Sequence, residues 1–457
     1  MRWAVGQVTN LPHYRWREEG EPGAMRIITT RRRTPRQVAD ELAAPMLQEV
    51  EQQEALVRKI VEEVRANGDE AVLVYTRRFD CPDMTVERMQ VSEEEFAKAT
   101  EVAGAGFLEA VAGSVEHVRT YHEKQRPGDW FDLRQLGTVL GQKFTPIERV
   151  GIHVPGFTAA YPSSLIMTAV PAQVAGVEEI VLVTPANRQG GVHPATLATA
   201  AALGLRRVYK IGGAQAIAAL AFGTETVPKV DKIFGPGSIW VMLAKKEVYG
   251  VVGVDGIYGP SEVVILADES AQPRLIAADL LAQAEHMTDS AAILVTPARS
   301  LVEPVQNELS RQVQRLNRKA IAWQAIEERG AIVVTRDMEE AVAVVNELAP
   351  EHVQICTESP FSLLPKIRNA GCICVGESSP VTLGDYVIGP SHVLPTGRTA
   401  RFSSGLGTVD FFKRSSVIYT SKEAVADHMD IVRALAGLEG LDGHIKAMQA
   451  RLRRETG

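Results

Sequence analysis

From residue 149 onward the chain alternates short β-branched runs with segments of helix length, and this alternation restricts its fold more than any other feature. RVGIHV (149–154), EIVLVT (179–184), RVYKIGG (207–213) and KIFGPG (232–237) each lead into a helical pattern, starting near Ser163, Pro194, Ala214 and Ser238. A second series runs through EVVILA (262–267), AAILVT (291–296), AIVVT (331–335) and CICV (372–375). Strands that alternate with helices cross over in the same direction, so they build parallel sheet covered on both faces. Two consecutive series imply two doubly wound, incomplete Rossmann-like α/β domains with a cleft between them. At 457 residues the chain is also longer than one hydrophobic core normally serves.

Outside these series, residues 36–75 are helical by pattern, with Leu56, Ile60, Val61 and Val64 at spacings of three and four and a stop expected at Gly68-Asp69. From about 407 the chain reads as a mainly helical appendage, with helices expected over 422–435 and 442–453. The expected division is an N-terminal extension and arm (1–47), a discontinuous first α/β domain (48–148 with 262–406), a second α/β domain (149–261) and a helical C-terminal segment (407–457).

A net charge of −7 disfavours nucleic-acid binding and attachment to an anionic membrane surface, both of which favour basic proteins. No run of about 20 apolar residues occurs, so no membrane span is expected. The first 24 residues carry Arg2, Arg15, Arg17 and several acids without an apolar stretch, and are not expected to be a signal peptide. Met25 opens a stretch, MRIITT, that resembles a more usual start. The four cysteines form no disulfide framework, so a reducing, cytoplasmic setting is expected. Cys372 and Cys374 flank one isoleucine, share a strand face, and read as small apolar residues.

The segment 259–286 is rich in chemical information. Ile276, Leu280 and Gln283 fall on one helical face, and His286 follows three residues later on the same side. An amide and an imidazole that extend a core-facing stripe need partners, because an unsatisfied buried polar group costs about 1–3 kcal/mol. A shared metal ion would satisfy both. Of the ten histidines, most sit in polar surroundings. His352 follows Pro350-Glu351 at a helix-to-strand corner, His392 shares a Gly/Pro-rich loop with Asp385, and His444 lies near the start of the last helix. Taken singly, each is as well explained as a loop histidine that caps a carbonyl. Together with Gln283 and His286 they supply a base, carboxylates and nitrogen and oxygen ligands, as metal-assisted oxidation of a polar alcohol requires.

Two Gly-rich turns, IGGAQA (211–216) and FGPGSIW (234–240), end strands and open helices, where backbone amides could meet phosphate. Neither is a GxGxxG fingerprint, so ligand-free βα turns remain an equal reading. A Walker-type loop is absent.

The segments GPSEVVILAD (259–268), DLLAQAEH (279–286), APEH (349–352), GDYVIGPSHVLPTGRTARFSSGL (384–406) and the late His444 occur in order and closely resemble the histidinol dehydrogenase family, over roughly residues 45–450. The resemblance implies one zinc per subunit bound by Gln283, His286, Asp385 and His444. Family dimers exchange the C-terminal segment, so a homodimer is implied in which His444 comes from the other subunit. It further implies acid–base roles for Glu351 and His352, and substrate contacts from Ser261, Gln283, His286, Glu351, Asp385, His392, Glu439 and His444. NAD would lie on the second domain against His153, Gln215 and Ser238, with the metal and acid–base residues on the first.

The implied reaction is the zinc- and NAD-dependent four-electron oxidation of L-histidinol to L-histidine through L-histidinal, at the end of histidine biosynthesis. No cysteine reads as a nucleophile, so water rather than a thiol is expected to attack the aldehyde. Where family members usually carry tyrosine, Gly-Gly and asparagine, this chain has His153, Gly156-Phe157 and Ser238, which bears on cofactor affinity. A paralogue oxidising another small polar alcohol, such as dihydroxypropanesulfonate, is the competing reading. Glu439 and His392 favour histidinol, because an anionic sulfonate would prefer cationic or neutral contacts. The intact Glu351-His352 pair argues against a non-catalytic scaffold.

Overall fold

The computed structural model describes residues 25–43, 50–156 and 160–452. Its frame is a pair of parallel sheets. The larger has six strands in the spatial order Arg26–Thr29, Ala331–Val334, Ala291–Thr296, Glu262–Ala267, His352–Cys356 and Cys372–Val375. After the edge strand Arg26–Thr29, the chain re-enters at Glu262–Ala267, steps outward through two strands, then returns to the other side of Glu262–Ala267 with His352–Cys356. That reversal makes the sheet doubly wound. The smaller sheet repeats the plan with Arg207–Tyr209, Glu179–Val183, Arg149–His153, Lys232–Phe234 and Gly253–Val254, again all parallel.

Burial explains why these strands were readable as unbroken apolar runs. In Glu179–Val183 the side chains of Val181 and Val183 join one core, and those of Ile180 and Leu182 join the core on the other face. Val263, Ile265 and Ala267 are divided from Val264 and Leu266 in the same way. A strand covered on both faces has no polar side to alternate with. Each such Val, Leu or Ile contributes about 1.5–3 kcal/mol on burial.

Two features depart from the sequence reading and one agrees with it. Residues 26–29, expected to lie in an N-terminal arm, form the edge strand of the large sheet, in register with Ala331–Val334. Ile28 is buried there while Ile27 faces out, a signal too short to read over four residues. The stop expected at Gly68-Asp69 is present: the helical run Val50–Phe79 is two helical stretches separated by a non-helical Gly68 (φ 54°, ψ −132°). A Cβ on Gly68 would stand 2.3 Å from the Glu225 carboxylate, and the hydroxyls of Thr224 and Thr226 cap Asp69 just beyond the break. Finally, the C-terminal segment begins with a strand, Phe412–Tyr419, that pairs antiparallel with Val139–Pro146, which in turn pairs with Trp130–Leu133. Its helices, Lys422–Asp427, Met429–Leu438 and Asp442–Leu452, then follow. No helix among the described residues is long and apolar enough to cross a membrane.

Candidate active site

The helix Pro273–Ala284 opens with proline in its first turn and runs back from the carboxyl to the amino ends of the large sheet. Ile276 and Leu280 pack into the core, and the stripe ends on Gln283, which is 4% exposed. The Nε2 atom of Gln283 is buried with no protein partner. His286 follows, its N–H donating to the Gln283 carbonyl at 3.3 Å. Opposite them the short helix Val381–Tyr386 delivers Asp385, and Gln283, His286 and Asp385 line one pocket with Asp279 and Tyr386.

His352 opens the neighbouring strand. The helix before it, Met338–Leu348, ends on Ala349 in a left-handed conformation (φ 44°), which turns Pro350-Glu351 into the cleft. His352 Nδ1 lies 3.4 Å from the Glu262 carbonyl and 3.7 Å from Glu351 Oε2, while Nε2 lies 3.8 Å from Asp385 Oδ1. A carbonyl can only accept, so the ring proton belongs on Nδ1 and Nε2 keeps its lone pair. Burial, reinforced by His286 and His392, lowers its pKa to about 3, so the imidazole is neutral.

Glu351 is equally enclosed. Its Oε2 accepts the Glu262 N–H at 2.8 Å, and the Ser261 hydroxyl also bonds to it. Burial first, and then the neighbouring carboxyls of Glu262 and Asp385, raise its pKa well above the ordinary range. Burial also raises Glu262 and Asp385, each to about 7. Glu262 escaped the sequence reading because a charged residue at the start of a strand ordinarily faces water. Here its Oε1 accepts the Gly397 N–H at 3.1 Å.

His392 joins this group to the small sheet. Its Nδ1 lies 2.9 Å from the Asp385 carbonyl, and its Nε2 lies 3.1 Å from Ser164 Oγ. Ser164 is in the first turn of the helix Pro162–Ala175, which follows the central strand Arg149–His153. The amino ends of the large sheet therefore meet the carboxyl ends of the small one. The carboxyl ends of the large sheet, where a doubly wound fold usually binds its ligand, are instead closed by Asp268 and Glu377, which accept from Glu358 N and Gln272 N.

At the carboxyl ends of the small sheet stand His153, Gln215 and Ser238. The turn at Gly235–Ser238 is bonded from several sides. Gly235 N–H donates to Asp255 Oδ2 at 2.7 Å, Lys245 Nζ donates to the Gly235 carbonyl, and His153 Nδ1 donates to the Pro236 carbonyl at 2.8 Å. Lys245 and Asp255 form a fully buried pair at 2.7 Å. A Cβ on Gly235 (φ +103°) would stand 2.2 Å from the His153 carbonyl, so only glycine fits. Ser238 precedes the helix Ile239–Val248, and its side chain makes no cap. The other glycine turn has a protein anion beside it. Asp80, whose burial raises its pKa to about 7, accepts from the Gly212 N–H and lies 3.5 Å from Gln215 Nε2. Asp80, Lys245 and Asp255 had no visible sequence signal, being charged residues far from their partners along the chain. Phe157 lies outside the described residues.

Glu439 and His444 do not join the group within one chain. Both are exposed, at the ends of the helices Met429–Leu438 and Asp442–Leu452, and neither lines the pocket. Accordingly, no three His, Cys, Asp or Glu side chains gather as a metal site among the described residues of the single chain. The four cysteines are unpaired; Cys81 and Cys356 are buried, and Cys372 and Cys374 are half-buried.

The arrangement offers a neutral imidazole base, a carboxyl beside it, an amide–imidazole–carboxylate pocket and a braced glycine turn across the cleft. Comparison with known proteins identifies the family. The sequence profile of the family described as Histidinol dehydrogenase matches residues 45–452. The histidinol dehydrogenase of Bacillus subtilis (strain 168) is 50% identical over 404 residues, which cover 88% of this chain and 94% of the relative. That of Halalkalibacterium halodurans is 51% identical over 403 residues, covering 88% and 95%. The crystal structure of histidinol dehydrogenase from Elizabethkingia anophelis superposes with a TM-score of 0.87 at 32% identity, covering 94% of this chain and 98% of that one. The fold, the shared segments and the extent of these matches agree: the chain belongs to the histidinol dehydrogenase family and is an oxidoreductase.

Proposed function

We propose that this protein oxidises L-histidinol to L-histidine in two NAD-dependent hydride transfers, through L-histidinal, at a site shared between the subunits of a homodimer. The observation that carries the reading is the Gln283 amide, buried without a partner in the pocket it lines with His286 and Asp385, the last of which stands 3.8 Å from the neutral imidazole of His352. An amide, an imidazole and a carboxylate suit zinc, and a second imidazole, from His444 of the partner subunit, would complete a four-ligand set. When bound, the zinc supplies an open Lewis acid for the amine and imidazole nitrogens of the substrate.

The chain's own residues account for the proton movements. His352 Nε2 takes the hydroxyl proton as hydride leaves carbon for the nicotinamide. Glu351, in its ionised form, takes a proton from water as the aldehyde is hydrated, its raised pKa making that carboxylate a stronger base, and His352 acts again in the second transfer. The balance is one alcohol, two NAD and one water to one carboxylate, two NADH and three protons. Ser261 bonds to Glu351 and orients it, and His392, held on Asp385 and Ser164, shapes the substrate pocket. Glu439 of the exchanged segment would accept a hydrogen bond from the substrate's amine N–H. NAD would lie across the carboxyl ends of the small sheet, near His153, Gln215 and Ser238.

A single chain leaves much apolar surface uncovered on the three-stranded sheet and the C-terminal helices. Leu133, Ile418 and Leu438 are 76%, 74% and 90% exposed, respectively. Such surface favours the exchange of this segment between subunits. The unpaired thiols accord with a cytoplasmic enzyme.

The test is NADH production by zinc-loaded protein offered L-histidinol and dihydroxypropanesulfonate in parallel. Two NADH per histidinol is the expected result. Turnover of the sulfonate alone would assign the site to a different polar alcohol.

A further inference from the structure

Cys372 and Cys374 have no part in the chemistry above, yet they adjoin it. They lie on Cys372–Val375, the outermost strand of the large sheet, whose register pairs Cys372 with His352 and Cys374 with Gln354. Alternate residues of a strand share a face, and parallel partners in register point the same way. Both thiols therefore lie on the face that carries His352 and Gln354. That face is turned toward the helix Pro273–Ala284, because Gln354 Nε2 donates to Asp279 Oδ2 at 2.8 Å. Asp279 lines the same pocket as Gln283, His286 and Asp385. The negative charges of Asp385 on both thiols and of Asp279 on Cys374 hold the thiol protons more tightly and at the same time favour a bound cation, and the two thiols share a hydrogen bond. Both are half-buried at the sheet edge and unpaired.

Two residues apart in an extended strand, their Cα atoms lie about 6.6 Å apart at ~3.3 Å per residue. That is near the upper limit for a disulfide, which closes best at roughly 5.5–6 Å. A cation bridging two sulfurs suits the spacing better, and thiolates select soft cations. Among the described residues no third ligand closes on the pair, so the cation must be stable with two donors. We propose that Cys372 and Cys374 form a two-thiolate site for a soft monovalent cation of the copper(I) class, and that filling it halts turnover. Binding is ligand exchange without redox change: two thiols lose their protons, two sulfur–metal bonds form, and the bound charge stands beside His352 and Asp385. The inhibitory half rests on the function proposed above; the binding half does not.

The test uses zinc-loaded, full-length protein under argon with copper(I) presented as its coloured bicinchoninate complex. The expected result is uptake of one copper per subunit, with the colour bleaching and NADH production falling in step. The double variant Cys372→Ser/Cys374→Ser should take up no copper and keep its zinc content and turnover. Copper uptake by that variant, or none by the parent, overturns the site; uptake without loss of turnover overturns the inhibition. Should the double variant fold poorly, X-ray absorption at the copper edge of the parent decides, with two sulfur neighbours expected and a nitrogen/oxygen shell overturning the site. Absence of histidinol turnover would count against the proposed function while leaving the copper titration readable.

Discussion

His352 Nε2 and Asp385 Oδ1 stand 3.8 Å apart, too far for a hydrogen bond. The imidazole lone pair is therefore not consumed by the carboxylate, and the carboxylate remains available to the pocket that Gln283 and His286 share. The two groups can be separated by mutation. His352→Ala should retain zinc by metal analysis and lose roughly 10²–10⁴-fold in kcat, the usual worth of a positioned base. His286→Asn should lower zinc content and turnover together. Loss of metal from the His352 variant would refute this division of roles.

The buried Lys245–Asp255 pair explains how the Gly235–Ser238 turn is held, since one partner takes the Gly235 carbonyl and the other its N–H. Lys245→Met leaves a buried carboxylate without its counter-charge, a change that costs about 3–5 kcal/mol. The expected outcome is a marked drop in Tm together with weaker NAD binding in calorimetry, at unchanged zinc content. Lys245→Met/Asp255→Leu should recover part of the stability and little of the NAD affinity, because the turn then has neither anchor. Equal recovery of both would show that the pair only fills space.

Gly235→Ala tests the same turn from the backbone. The added Cβ would stand 2.2 Å from the His153 carbonyl, at a φ that L residues rarely adopt. Strain of about 1–3 kcal/mol is expected, displacing the carbonyl of Pro236 from His153. NAD affinity should fall by roughly 5–150-fold if that strain is spent on the bound geometry, while zinc content stays at one per subunit. An unchanged NAD affinity would remove the turn from the cofactor site.

What could be read in advance followed from local physics. Strands such as Glu262–Ala267 are buried on both faces, so their apolar runs are continuous and survive without a partner in view. Gln283 was visible because a polar residue interrupts an apolar helical stripe. The missing parts depend on distant pairing. Arg26–Thr29 is a strand only because Ala331–Val334 lies beside it, some 300 residues away in the chain. Phe412–Tyr419 is largely exposed, with no apolar–polar alternation to betray it. Glu262, at a strand start, and Lys245, in a helix, carry no local sign of burial, and only the fold places each beside its partner. The position of Cys372 beside His352 is of the same kind, set by strand register alone.

That edge strand also gives a prediction about acid stability. Thr30 Oγ1, just past Arg26–Thr29, donates to Glu340 Oε2 at 2.6 Å, and the same carboxylate accepts from Arg336 N at 2.8 Å and pairs with the Arg336 guanidinium at 2.9 Å. Burial raises the pKa of Glu340, but the bonds from Arg336 and Thr30 outweigh it, and the net shift is downward. A carboxyl with a depressed folded pKa stabilises the fold fully above its unfolded pKa of about 4.3 and loses that contribution as pH falls through the folded value. Glu340→Gln should therefore destabilise the protein by about 1–2 kcal/mol in urea unfolding at neutral pH, the worth of a charged hydrogen bond. The difference between the two proteins should shrink below about pH 4. A gap that stays constant from neutral to acid conditions would mean that the carboxylate charge contributes nothing to holding Arg26–Thr29 in place.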